Sequence, residues 1–231
     1  MNRFVSLSIL VCLTACGGSS TPGGTGTGTP TAPTPTPNRS PTITQLTVAP
    51  TSGVSQLSSF SMQAAATDPD GDTVTYQWEF GDGTTASGSS VAAKVFSGAG
   101  VMSARLTVVD GKGGTVSDSR DLVIGSTTGS WIATIQDFSR LSLDLQQSGA
   151  VVTGRFTQMD PLSNTPQGTS GITDPAEPGK IDKDGKFEIR LKVGRFTDFY
   201  MRGTMDGTGR TVTGGVFGSG FTGSPFSMAK Q

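Results

Sequence analysis

Few residues of this chain could do chemistry. Asp68, Asp70 and Asp72 alternate within Asp-Pro-Asp-Gly-Asp. Carboxylate oxygens are what calcium takes as ligands, so the triplet reads as a calcium site. It lacks the downstream Glu of an EF-hand loop, and Asp and Gly are ordinary turn formers, so a plain turn is the competing reading. The only glutamates are Glu79, Glu177 and Glu188, and most aspartates fall in turn motifs. A carboxylate pair facing across a cleft, as a glycosidase needs, has little to draw on. Histidine is absent. That removes Ser-His-Asp and Cys-His catalysis and His-liganded zinc. The expectation is a protein that is not an enzyme.

Charge narrows the partners. Seventeen basic against eighteen acidic residues give a net charge of -1. A nucleic-acid binder carries a basic footprint, and none is present, so no nucleic acid is expected. The two cysteines, Cys12 and Cys16, allow at most one disulfide and no Cys-rich metal cluster. No cofactor is expected beyond what Cys16 carries, with calcium as the weaker alternative.

The amino end sets the compartment. Arg3 precedes an apolar run from Phe4 to Leu13, too short to span a bilayer as a mature helix. The run ends in Leu13-Thr14-Ala15-Cys16. This resembles the lipobox of bacterial lipoproteins. The resemblance implies a signal peptide over residues 1–15, cleavage before Cys16, and a lipid, palmitate included, on Cys16. Cys12 is then lost and no disulfide can form. Two or more acyl chains give stable anchoring, at about 0.8 kcal/mol per buried methylene. Gly17 stands where Asp commonly marks inner-membrane retention, so the resemblance favours the outer membrane. An ordinary secretory signal, leaving Cys16 a free thiol, is the other reading.

Residues 16–40 contain the lipidated Cys and a linker. Beyond Cys16 the segment is Gly-, Thr- and Pro-rich and has no large apolar side chain. Nothing there can offset chain entropy by burial. Its first half is Gly-rich and flexible. Thr-Pro alternation over 30–37 favours extended polyproline geometry, giving a reach of roughly several tens of ångströms.

Beyond the tether, apolar residues alternate with polar ones in short runs between turns, so the fold class is all-β. Over residues 41–126, Phe60, Met62, Ala64 and Ala66 share a strand face, as do Tyr76, Trp78 and Phe80, and Met102, Ala104, Leu106 and Val108. Turns of the Asp-Gly type separate them. Two packed antiparallel sheets with Trp78 in the core are predicted. Asp82 and Asp110 read as turn and cap residues. Trp78-Glu79-Phe80-Gly81-Asp82-Gly83, with the later Phe96-Ser-Gly-Ala-Gly and Leu106-Thr-Val-Val-Asp-Gly, resembles the PKD (polycystic kidney disease) domain. The resemblance implies an immunoglobulin-like sandwich that serves as a spacer or as a binding module for protein or polysaccharide.

Residues 127–231 continue the period of two. Gly125–Ser130 reads as a flexible joint. Trp131, Ala133 and Ile135 share a face, then Leu141, Leu143 and Leu145, then Phe187, Ile189, Leu191 and Val193, then Phe199, Met201, Gly203 and Met205. Seven or eight strands in sequence favour a small antiparallel meander. Such a meander removes its edges by closing into an up-and-down barrel. Gly154, Gly203 and Gly214 fall at inward positions and suit tight curvature. The phrases around them are similar to those of lipocalin- and avidin-like barrels. Residues 159–179 read as a Pro-rich insertion, a binding loop or an inert excursion. Residues 180–202 are locally basic: a solvated strand face, or a docking patch for anionic sugar.

Together these readings describe a lipid-anchored envelope protein. Its β-domains serve as spacer and binding modules, with a polysaccharide or an envelope protein as partner. The alternative is a carrier holding a small hydrophobic ligand in the barrel. Filling of the barrel by Leu141, Leu143, Phe187, Ile189 and Leu191 would remove it.

Overall fold

The computed structural model describes residues 35–136, 139–160, 162–174, 176–192, 198–218 and 220–231. The expected signal peptide, Cys16 and the expected linker through residue 34 lie outside the described residues. All regular structure among the described residues is β. No helix there is long and apolar enough to cross a membrane.

Eight strands build a two-sheet sandwich. One sheet has the order β1 (Thr42–Ala49), β3 (Ser59–Thr67), β6 (Ser90–Val95). The other runs β2 (Ser52–Val54), β8 (Thr115–Gly125), β7 (Gly100–Val109), β4 (Thr75–Phe80), β5 (Thr85–Ser87). Strand β2 lies parallel to β8, and the remaining pairs are antiparallel. The inward residues of the alternating runs meet between the sheets. Phe60, Met62, Trp78 and Leu106 are almost completely buried there, as predicted, and Leu122 is buried with them. Trp78 donates its indole N–H to the carbonyl of Gly88 at 2.9 Å, so its one polar atom is satisfied. Phe96 meets Phe60 and Phe80 edge-on, at 5.5 and 6.1 Å between ring centres.

Nine more strands form the second body: β9 (Gly129–Ile135), β10 (Ser139–Ser148), β11 (Val151–Met159), β12 (Pro166–Thr173), β13 (Gly179–Ile181), β14 (Lys186–Lys192), β15 (Phe199–Met205), β16 (Thr211–Gly218) and β17 (Phe221–Lys230). Neighbours in sequence pair antiparallel, except β12 with β13, and β17 returns to pair with β9, from Phe226 against Ile135 to Lys230 against Trp131. The ring is closed. It has eight positions, because β12 and β13 share one: both lie between β11 and β14.

That sharing corrects the reading of 159–179. The segment is not a structureless insertion. Pro166–Thr173 is a strand, and Gly179–Ile181 is another. Close approach of neighbouring strands explains the inward glycines. A Cβ on Gly203 would strike the carbonyl of Thr213, and one on Gly214 the carbonyl of Arg202. Gly203 and Gly214 are direct cross-strand partners, a place where the backbones approach with no room for a side chain.

The interior is packed. Leu143, Phe187, Ile189 and Leu191 are at most 2% exposed and Leu141 is 3% exposed, all in one apolar cluster with residues from the whole ring. Val54 and Leu57, from the sandwich, join that cluster. The carrier reading therefore loses its chamber: side chains fill the space, and the sandwich contributes to the filling.

Gly125–Ser130 is not a loose joint either. Gly125, Ser126 and Thr127 are buried. The Gln147 side chain accepts from the Thr127 N–H at 2.9 Å and donates to the Ser55 carbonyl at 3.0 Å. The Ser55 N–H donates to the Gly125 carbonyl at 2.8 Å. Gln56 accepts from the Gly149 N–H at 2.9 Å, and the Ser58 hydroxyl donates to the Lys183 carbonyl at 3.0 Å.

Candidate binding face

The Asp triplet sits in the turn between β3 and β4. Its carboxylates offer oxygens within 4.8 Å of one another. Asp68 accepts from the Asp70 and Asp72 N–H groups at 2.8 and 3.2 Å, which is an Asx-type turn. Arg39 pairs with Asp70 at 2.7 Å and Lys112 with Asp72 at 2.6 Å. The hydrogen bond from the Arg39 side chain holds the Asp70 carboxyl below its ordinary range. The three aspartates are thus brought together, but two cations already face them. Arg39 and Asn38 were read as the end of the tether. They bind the sandwich turns instead: the Asn38 amide donates to Asp110 at 2.7 Å. Asp110 also accepts from the Lys112 and Gly114 N–H groups, and Asp82 accepts from Thr84 and pairs with Lys94, as turn residues should.

The other candidate lies on the outside of the barrel. Along each strand, residues between the buried ones point outward. On β13 to β17 the cross-strand register assembles these into rows. One row is Lys180, Glu188, Arg202, Gly215 and Pro225. Beside it runs Arg190, Tyr200, Phe217 and Thr222. On the other side lie Lys186, Thr204, Thr213 and Ser227.

Gly215 leaves a dip in the central row. The Phe217 ring covers it, since a Cβ on Gly215 would come within 3.2 Å of that ring. The Arg202 guanidinium stands 5.5 Å from the centre of the Tyr200 ring and 5.7 Å from that of Phe217. Its Nε donates to Glu188 at 2.8 Å. Phe217 is 36% exposed, an apolar ring kept in water. A groove of about 760 Å³ runs along this face between Lys180, Lys186, Arg202 and Phe217. A smaller one, about 220 Å³, adjoins it through Lys180 and Glu188 and reaches Arg190 and Tyr200.

Arg190 anchors the edge of this face. It pairs with Asp198 at 2.7 Å, with Glu177, and at 3.7 Å with Asp174. Asp174 and Glu177 belong to the excursion between β12 and β13, so Arg190 ties that excursion to the ring. The Ala176 N–H, donating to Asp174, holds its carboxyl below the ordinary range, helped by the charges of Lys192 and Arg190.

The sequence reading found the basic residues of 180–202 but not Tyr200 and Phe217. The available signal was the outward half of the same period of two. A third cavity, about 450 Å³, lies where the turn after β2 meets the β13–β14 and β15–β16 turns, beside Val54, Leu57, Lys183 and Met205.

No curated protein matches the chain. A solved structure described as bearing on the promiscuous specificity of carbohydrate-binding modules from the β-sandwich superfamily is similar at 15% identity, with a TM-score of 0.36. The alignment covers 78% of this chain and 61% of that one. Residues 38–124, the stretch that folds as the sandwich of β1 to β8, match the family model of the PKD domain.

Proposed function

We propose that this protein is a non-catalytic, lipid-anchored envelope protein that binds polysaccharide on the outer face of its barrel. Cys16 carries the lipid, the outer membrane holds it, and residues 17–37 give the folded part its reach. The PKD domain spaces the barrel from the membrane.

The observation that carries the binding reading is the Tyr200–Arg202–Phe217 stack beside an open groove. Aromatic faces offer apolar contact to the C–H faces of sugars, and flanking charged groups offer hydrogen bonds to hydroxyls. The groove is open to solvent, which suits a polymer better than an enclosed small molecule. Catalysis finds less support. Glu188 is engaged by Arg202 and Glu177 by Arg190, so both carboxylates are already held by a cation.

Affinity electrophoresis of the full chain in detergent through gels containing neutral or acidic polysaccharides tests the binding. Retardation that Phe217→Ala and Tyr200→Ala abolish supports it. No retardation in any gel, with capture of an envelope protein instead, would replace it. Metabolic labelling with a palmitate analogue tests the anchor. Label is expected on the wild type and not on Cys16→Ser.

A further inference from the structure

The polymer's charge is also written on the barrel face, and this inference rests on the polysaccharide reading above. We infer that the ligand is an acidic polysaccharide, and that Lys180 and Lys186 together receive one of its carboxylate or sulfate groups.

The two lysines are placed for it. Lys180 lies opposite Glu188, and Lys186 is two residues before Glu188 on the same strand. They are therefore diagonal neighbours on the outer face, with Cα atoms about 7–8 Å apart. Both side chains are exposed and both line the larger groove. One anionic group between them lies within reach of both ammonium ends.

Their charge is also unspent. Other basic side chains of this face are paired: Arg190 with Asp174, Glu177 and Asp198, Lys192 with Asp174, and Arg202 with Glu188. Among the described residues, neither Lys180 nor Lys186 has an ion-pair partner. The nearest acidic groups are committed. Glu188 is held by Arg202, and one oxygen of Asp182 accepts the N–H groups of Asp184 and Lys186 to close the β13–β14 turn. The groove is lined by three cations, Lys180, Lys186 and Arg202, and two anions, Asp182 and Glu188. The balance, 3 - 2 = +1, leaves room for a ligand anion.

The row continues away from the lysines as Glu188, Arg202, Gly215 and Pro225. Four strand spacings carry it about 19 Å across the ring. An extended chain lying along this row would set an acidic group on the lysine pair. Its next sugar would meet Arg202 and the rings beside it. The polymer would thus run across the strands.

The test is affinity electrophoresis of the full chain through four gels: polygalacturonate, alginate, dextran sulfate and uncharged dextran. Retardation by at least one acidic polymer, stronger than by dextran and weakened by added salt, is expected. Lys180→Gln with Lys186→Gln should weaken it roughly tenfold or more, since charge-assisted contacts are lost. Lys183→Gln, on a lysine outside the groove and paired with Asp184, should leave it unchanged. Circular dichroism checks that the variants fold. Retardation by dextran equal to that by the acidic polymers, or acidic binding indifferent to the double change, overturns the inference and leaves the general polysaccharide reading standing. No retardation in any gel overturns both.

Discussion

Single side chains carry the sharpest expectations. Trp78 fills the centre of the sandwich, so Trp78→Ala should cost about 3–5 kcal/mol, read by chemical denaturation. An equal midpoint for the two proteins would contradict its core position. The pH profile follows from composition. With no histidine, none of the chain's side chains has an ordinary pKa between about pH 5 and 8, so stability should be flat there. Asp82, Asp110, Asp174 and Asp206 all have carboxyl pKa values held below the ordinary one. Their contribution is present above the unfolded pKa, about 3.9, and is lost as pH falls through the folded values. Acid unfolding should therefore set in only below about pH 4, and a melting temperature that drops between pH 7 and 5 would refute this. The Asp triplet reads as a turn closed by Arg39 and Lys112. Calorimetric titration with calcium should show no heat at about 1 mM, the weak end of extracellular sites. Heat that Asp68→Asn removes would restore the metal reading.

Among the elements, what the sequence disclosed depended on where each strand keeps its apolar residues. Strands β9, β10, β14 and β15 have a large side chain at almost every inward position, so their alternation stood out. Strand β12, Pro166–Thr173, has one large apolar residue, Ile172, begins with a proline and stands between Pro161 and Pro175, so it looks like a loop. Its place is set by the register of β11 and β14, which local pattern does not contain. The outer face was half legible for a related reason. Attention to the buried half of each alternation recovers Phe199, Met201 and Val216. Tyr200, Arg202 and Phe217 lie on the complementary half, and only the cross-strand register shows that they meet. The elements also yield an expectation. Gly214→Val should weaken closure of the ring between β15 and β16, because its added atoms meet the Arg202 carbonyl and the Gly203 backbone. A loss of about 1–3 kcal/mol is expected for such overpacking, measured by thermal unfolding.

For the molecule as a whole, the sandwich sends Val54 and Leu57 into the barrel's core and shares a hydrogen-bonded seam with it. This was hidden from sequence because the partners are distant: Gln147 reaches Ser55, 92 positions away. A Gly-Ser-Thr run looks the same whether it swings freely or is clasped. The seam predicts one cooperative unfolding transition for both bodies by calorimetry, where two separate transitions would deny the coupling. Gln147→Ala leaves the Ser55 carbonyl and Thr127 N–H without their partner, and should cost about 1–3 kcal/mol and begin to separate the two transitions.

Closure of the barrel has a further bearing on how copies of the chain meet at high concentration. A sealed ring offers neighbouring copies no backbone to zip onto, whereas β1, β6, β2 and β5 end their sheets. If neighbouring copies ever exchange or borrow strands, the sandwich is where such contacts must begin, and the outer face of the barrel stays clear of them.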